Sequence, residues 1–325
     1  FAVRAVVDRE LAGRDAGEVL DGAARGIPIV ADVAAALHHA PDARVAVVGH
    51  APHGGRLTPG LRALLTECAA AGLDLVSGLH DQLRDEPALA ELASRHGITL
   101  TDVRRTPPAR DLRCWDGTVH AVRADRIAVL GTDCIVGKRT TARLLTAELN
   151  GRGVRTEMIH TGQTGWLQGG RYGYIYDALI SDFTAGALEG AIVACAADRD
   201  PELMLIEGQG SLRNPSGPCG SELILAAAAS GVVLQHMPHR SHYHGLEHLE
   251  QCRIPSLDSE IALIGQYGVP VLAVVLNLAG ASTAEVAPTV GRCRELCGDV
   301  PVFDVFADGI GVLADVVLHH RDGRT

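Results

Sequence analysis

Aromatic side chains are scarce in this 325-residue sequence: two Trp, five Tyr and four Phe make up 3% of it, and Met occurs only three times. A core built on large rings is thereby excluded. Apolar residues still account for 47% of the chain, and small aliphatic side chains with abundant glycine suit α/β layers, in which helices lie close on a sheet. Long hydrophobic runs are missing too. No stretch approaches the roughly 18 apolar residues of a spanning helix, and no signal peptide is visible, so no membrane partner is expected. Lys/Arg clusters are absent and the formal charge is −10, which leaves no basic face for nucleic acid. The cysteines at 68, 114, 134, 195, 219, 252, 293 and 297 form no Cys-x2-Cys pair and nothing like a disulfide ladder. Reduced thiols in a cytoplasmic protein are the expectation. No internal repeat or low-complexity segment stands out. The sequence opens on Phe1 without a methionine, so further residues are expected ahead of it.

What the sequence does contain is a stretch, residues 127–145, that joins an apolar strand, a glycine turn, a lysine and a helix. Gly131 and Gly137 allow the backbone to wrap an anion, and the free N–H groups and dipole of the following helix converge on it. Lys138 supplies charge. Thr132, Asp133, Thr140 and Thr141 complete the candidate phosphate-binding set. The familiar P-loop reads Gly-x4-Gly-Lys-Ser/Thr, the last hydroxyl holding Mg²⁺. Here the spacing is Gly131-x5-Gly137 and the residue after Lys138 is Arg139, whose guanidinium cannot ligate a metal. Phosphate binding is retained on paper while metal-assisted phosphoryl transfer is not.

The length predicts two domains. Residues 1–110 read as alternating strand and helix, with strands at 1–7, 27–30, 44–48, 73–76 and 98–103 and helices at 58–71 and 87–96. This is a Rossmann-like α/β unit, but the first loop lacks Gly-x-Gly-x-x-Gly and Asp8 alone does not make a dinucleotide site. The loop 49–55, with two histidines and three glycines, is a candidate cleft wall. Thr106-Pro-Pro-Ala-Arg110 reads as a linker, because consecutive prolines block helix and central strand alike. Residues 111–325 then read as a P-loop NTPase-like parallel-sheet domain, opening on a hairpin at Trp115-Asp116-Gly117 and continuing with strands at 127–130, 156–159, 203–206, 231–234 and 271–276.

Unusual residues stand in a row at four of these strand ends: 131–141, 161–165, 207–211 and 235–244. In an open parallel sheet such ends share one edge, so they line one crevice. Glu207 follows an apolar strand and is read either as a general base or as a brace for its glycine turn. Gln163 and Gln209 sit between glycines, where an amide orients a substrate, stabilises an oxyanion or steadies the turn. His236, His239, His242, His244 and His248 are too irregularly spaced for a zinc site, and Pro238 breaks any helix through them. No metal is expected there; one or two of these rings serve instead as acid, base or donor. Ser211, Arg213 and Arg240 form the candidate substrate-binding set, the arginines able to hold a carboxylate bidentately. Asn277 stands where related sheets read a nucleotide base.

Gly131-Thr-Asp-Cys-Ile-Val-Gly-Lys138 resembles the phosphate loop of dethiobiotin synthetase and its relatives, which continue with Thr. Together with Thr161-Gly-Gln-Thr-Gly165, Asp182-Phe183, Glu207-Gly-Gln-Gly-Ser-Leu212 and His236-x-Pro238-x-Arg240, the chain is more closely similar to the D-glutamate N-acetyltransferase-like family, over nearly its whole length. That resemblance implies a Rossmann-like N-terminal domain, a C-terminal P-loop domain, and transfer of an acetyl group from acetyl-CoA to the amine of a small acidic amino acid. Under it, Glu207 or a histidine such as His236 or His239 is the base, Gln163 or Gln209 the oxyanion donor, and Arg213 or Arg240 the anchor. The expected partners are an amino acid and a phosphate-bearing co-substrate, in a homo-oligomer. Two rival readings are an ATP-dependent carboxylate–amine ligase or kinase using ATP with Mg²⁺, in which Asp133, Thr140 or Glu207 replaces the missing metal ligand, and a non-catalytic nucleotide or amino-acid sensor.

Overall fold

The computed structural model describes residues 1–50 and 52–324. The expectation for the loop 49–55 therefore falls outside the described residues at Ala51. The chain divides into two compact units, Phe1–Thr106 and Pro107–Thr325, meeting inside the proline-bearing segment.

In the N-terminal unit the order is β1 (Val6–Val7), α1 (Ala16–Asp21), β2 (Ile29–Val30), α2 (Val33–His39), β3 (Val45–Val47), α3 (Pro59–Ala70), β4 (Asp74–Ser77), α4 (Pro87–His96) and β5 (Leu100–Asp102). Its strands are short and form two parallel sheets, β1-β2 and β3-β4-β5. Local chemistry sets the helix ends: Pro59 opens α3 behind Thr58, whose hydroxyl accepts from the Leu61 N–H at 3.3 Å, and Gly97 closes α4 in the left-handed conformation. Leu65, Leu75, Leu83 and Leu89 fill the core between β3-β4-β5 and its helices. The strand expected over residues 1–7 contracts to two residues. Only Val6 and its neighbours find a partner, the Val6 and Asp8 N–H groups donating to Pro28 and Val30 carbonyls. The Asp8 carboxylate accepts from the N–H groups of Glu10 and Leu11, so this acid closes the turn after β1.

The C-terminal unit continues with β6 (Asp125–Gly131), α5 (Lys138–Gly151), β7 (Thr156–His160), α6 (Gln163–Leu167), β8 (Tyr172–Gly173), α7 (Thr184–Arg199), β9 (Leu203–Glu207), α8 (Ser221–Leu225), β10 (Gly231–His236), α9 (Leu257–Gln266), β11 (Val271–Leu276), α10 (Thr283–Cys297), β12 (Val302–Phe303) and α11 (Ile310–Asp322). Its strands make one parallel sheet in the order β12-β11-β10-β6-β9-β7-β8. The chain thus winds out from the central β6 in both directions, and helices cover both faces. Alternation along β6 shows this directly: Ile127 and Val129 join the core under α5 and α11, while Ala128 and Leu130 join the opposite core with Leu188, Ile192, Leu223 and Leu257. Strands buried on both faces read as continuous apolar runs, as these do.

Two expectations fail. Residues 161–165 do not stay a loop but run into α6, and no hairpin forms around Trp115-Asp116-Gly117; the approach to β6 holds only two 3₁₀ turns, Ala109–Asp111 and Thr118–Ala121. The missing cross-strand bonds are supplied by one side chain. Glu189 of α7, fully buried, accepts from the N–H groups of Asp116 (3.0 Å) and Val119 (3.1 Å) and from the Arg113 guanidinium (3.1 Å). Removing it leaves the buried Val119 N–H without its acceptor and frees the other two donors as well, so Glu189→Ala should lower unfolding free energy by about 2 kcal/mol, read from urea unfolding. A loss under about 1 kcal/mol would show that the segment is held otherwise.

Candidate active site

β6 delivers its chain into the phosphate loop at Gly131, and steric closeness explains the glycines there. A Cβ on Gly131 would lie 2.8 Å from Val136 Cγ2 and 3.0 Å from Lys138 Cδ; one on Gly208, just past β9, would lie 2.4 Å from the Val129 carbonyl oxygen and 3.0 Å from Lys138 Cδ. Gly137 has φ +115°, a conformation that disfavours any side chain. The stem of Lys138 threads this gap. Its Nζ donates to the Asp133 carbonyl at 2.6 Å and the Gly210 carbonyl at 2.8 Å, and burial pulls its pKa down. At the apex, Ile135 is exposed and holds a left-handed φ of 54°.

Asp133 fastens the loop to its surroundings. Its carboxylate is wholly buried and accepts from Asn214 Nδ2 (3.0 Å), Arg240 Nη1 (2.9 Å) and the His244 N–H (2.8 Å). Arg240 also donates to the Cys134 carbonyl. From the end of β10, Gln235 accepts from the Thr141 hydroxyl at 2.6 Å and His236 Nδ1 meets the Thr132 hydroxyl at 2.9 Å. Asn277, after β11, donates to the Val136 carbonyl at 3.1 Å.

On the other flank stands Glu207, the last residue of β9 and 2% exposed. It accepts from the Thr161 N–H at 3.1 Å and lies 3.5 Å from Arg139 Nη1. The Thr161 hydroxyl donates to the Glu207 carbonyl and accepts from Gln209 Nε2 at 3.0 Å. Burial raises the Glu207 pKa against the opposing pull of these donors and of Arg139. Behind it lies His160, which the sequence reading passed over. This ring, at the end of β7, is buried with a lowered pKa. A Cβ on Gly165 would sit 2.5 Å from His160 Cβ and 3.1 Å from Glu207 Oε2, and one on Gly170 2.6 Å from His160 Nδ1. The glycine-rich run after Thr161 was the available signal, since those glycines make room for the ring.

The structure therefore gathers Gly131, Thr132, Asp133, Gly137, Lys138, Arg139, Thr141, Glu207, Gln209 and His236 at one edge of the sheet. Gln163 is half-buried in the first turn of α6, and Thr140 is exposed on α5. His239 is exposed, beyond the buried end of β10. Ser211 is buried and its carbonyl accepts from the Cys219 N–H. Neither expected carboxylate anchor is free: Arg213 donates to Glu260 at 2.7 Å and to Ser259 at 2.8 Å, while Arg240 is bound to Asp133. Both guanidiniums neutralise buried acids of the chain itself. Among the described residues no group of three or more His, Cys, Asp or Glu side chains could hold a metal ion.

This geometry has relatives. Residues 113–314 match the P-loop domain of a domain-of-unknown-function family, DUF1611, and residues 9–106 match its Rossmann-like N-terminal domain. The chain belongs to the DUF1611 family. A crystal structure of a DUF1611 family protein from Anabaena variabilis is similar over 97% of this chain and 90% of that one, at 31% identity and a TM-score of 0.86. Two curated relatives bear the name D-glutamate N-acetyltransferase. The one from Tritonibacter scottomollicae is 38% identical over 217 residues, 66% of this chain, and the match spans 62% of that relative's length. The one from a Pseudoalteromonas species is 29% identical over 275 residues, 82% of this chain and 79% of the relative. The Rossmann-like and P-loop NTPase-like architecture read from the sequence is thus the architecture of a DUF1611 protein.

His236 gives the site a pH signature. Burial lowers its pKa from 6.5 to about 4, so the ring stays neutral when folded while the unfolded chain takes up a proton. Its contribution is whole above pH 6.5 and lost as pH falls toward 4, about 3 kcal/mol in all. His236→Asn should flatten the fall of unfolding free energy over that window. Superimposable urea-unfolding profiles for parent and variant would show that His236 is not its source.

Proposed function

We propose that this chain is an N-acyltransferase that moves an acetyl group from acetyl-CoA to the amine of a small acidic amino acid, with D-glutamate the foremost acceptor, as the names of its relatives suggest. The observation that carries the reading is the Arg139–Glu207 pair at 3.5 Å. Where a nucleoside-triphosphate enzyme of this fold keeps a hydroxyl and a carboxylate for Mg²⁺, this chain sets a guanidinium against the carboxylate. The other candidate metal ligand, Asp133, has both oxygens engaged by Asn214, Arg240 and His244. The donor set does not fit Mg²⁺.

It does fit the phosphates of coenzyme A. The backbone of residues 131–137, the N-terminus of α5, Lys138 and Arg139 offer positive charge and N–H groups to a diphosphate with no metal between. Acetyl-CoA, when bound, would supply the acyl group as an activated thioester. The chain must then free an amine and steady an oxyanion. Glu207 is the base: desolvation has raised its proton affinity, and its carboxylate accepts a proton from the acceptor's ammonium group. The amine so freed attacks the thioester carbon; as the carbon–sulfur bond breaks, the surplus proton on nitrogen passes to the leaving thiolate, giving the amide and the free thiol. Gln209, held by Thr161, and Gln163 at the start of α6 offer amide N–H groups to the carbonyl oxygen as charge builds on it.

With D-glutamate and acetyl-CoA the protein should release free thiol and form N-acetylglutamate, detected by mass spectrometry. ADP release from ATP-Mg²⁺ that needs the amine, without thiol release, would replace this reading with the ligase; tight ligand binding without turnover would replace it with the sensor. Lys138→Ala should weaken acetyl-CoA binding roughly 10- to 100-fold by calorimetry, and unchanged binding would remove the loop from the donor site. Glu207→Gln should lower kcat by about 10²-fold or more. In the parent, kcat/KM should fall on the acid side at a pH above the ordinary glutamate value of 4.5, and that limb should vanish in the variant.

A further inference from the structure

Beyond His236 the sheet edge opens into a cleft of about 310 Å³ bounded by the end of β10, the start of α9 and one side of α10. Its charge is unusual for this protein. The chain carries 39 acidic and 29 basic residues, yet Arg240, Arg253 and Arg292 line the cleft and no Asp or Glu does. Two of those arginines are already balanced, Arg240 by buried Asp133 and Arg253 by Glu250. Arg292 is different. Its guanidinium donates to the Thr289 hydroxyl at 3.1 Å, one turn back on α10, and no carboxylate among the described residues pairs with it. Ser256 and Leu257 place the first turn of α9 on the same wall; that turn carries Asp258 and Glu260, the latter paired with Arg213, so the positive charge of the cleft comes from its arginines.

We propose that this cleft binds the amino-acid acceptor, with Arg292 holding its side-chain carboxylate. The acceptor's identity rests on the acyltransfer reading; the anion-binding character of the cleft does not. His236 belongs both to the cleft and, through Thr132, to the phosphate loop, so one wall borders the phosphate-binding backbone while Arg292 stands on α10. A short dicarboxylic amino acid seated there directs one carboxylate to Arg292 and lies beside His236, which bonds Thr132 of the phosphate loop. The two arginines first expected to do this are consumed by Glu260 and Asp133. Arg292 supplies the uncommitted fork, bidentate recognition of a carboxylate being what a guanidinium does best. Arg292 is a specificity-determining residue in this account, acting on which acceptor binds and not on the bond-making step.

The test compares D-glutamate with D-glutamine, which differ only in the group Arg292 would hold. Arg292→Gln should raise KM for D-glutamate about 30-fold with kcat changed much less, and should erase the preference over D-glutamine. Arg292→Lys should recover part of it. A general loss of folding would lower kcat for both acceptors and leave their ratio alone, so an unchanged ratio overturns the proposal. A KM rise for acetyl-CoA, absent with 3′-dephospho-acetyl-CoA, would assign the cleft to the donor's 3′-phosphate and also overturns it. If the parent acetylates neither amino acid, the acyltransfer reading fails by itself. Calorimetry with D-glutamate alone then decides the cleft: binding lost in Arg292→Gln supports it, and binding that is absent in the parent or retained in the variant overturns it.

Discussion

A carboxylate sealed from water sets the shape of the site. Asp133 sits inside the phosphate loop with no exposed surface, and an uncompensated charge there would be costly by several kcal/mol. The chain compensates it from three places: the Asn214 amide after β9, and the Arg240 guanidinium and His244 N–H after β10. Satisfying one acid thus ties the loop after β6 to the loops that follow β9 and β10, the strands on either side of it. The loop around it is held in form by the protein's own groups, the condition under which dipoles act on a ligand without first reorganising.

Arg139 and Glu207 extend the same logic. A metal-dependent site assembles its positive charge from a mobile ion, whereas here the charge is covalently part of α5 and its counter-charge part of β9. Glu207 feels opposing influences: burial raises its proton affinity, while Thr161 and Arg139 lower it, and burial prevails. A carboxylate poised in this way suits proton transfer better than metal ligation. The second candidate base, His236, is pushed the other way for a histidine, toward a neutral ring tied to Thr132.

Much of the fold was legible because its signals are local. The helix Pro87–His96 and the strand Val271–Leu276 follow from a proline start, a glycine stop and an unbroken apolar run, and the structure gives those bounds. The four strand ends converge because parallel topology brings them together without further information. What escaped was long-range pairing of polar groups. Arg113 to residue 119 looks like a hairpin until Glu189 is seen to take its N–H groups from about 70 residues away. Arg213 and Arg240 look like free cations until Glu260 and Asp133 appear beside them. His160 is invisible because three later glycines, Gly165, Gly170 and Gly173, acquire their meaning only when folded around it.

Lys138 has a consequence of its own. Its ammonium group is parked on two main-chain oxygens, those of Asp133 and Gly210, which belong to different strand-end loops. An ammonium group has three N–H donors, so the two carbonyls leave one of them over while both ties stay made. The lysine thus cross-links the loops after β6 and β9 with two of its donors, and the charge that a phosphate loop normally keeps for its ligand is also a fastener of the loop itself.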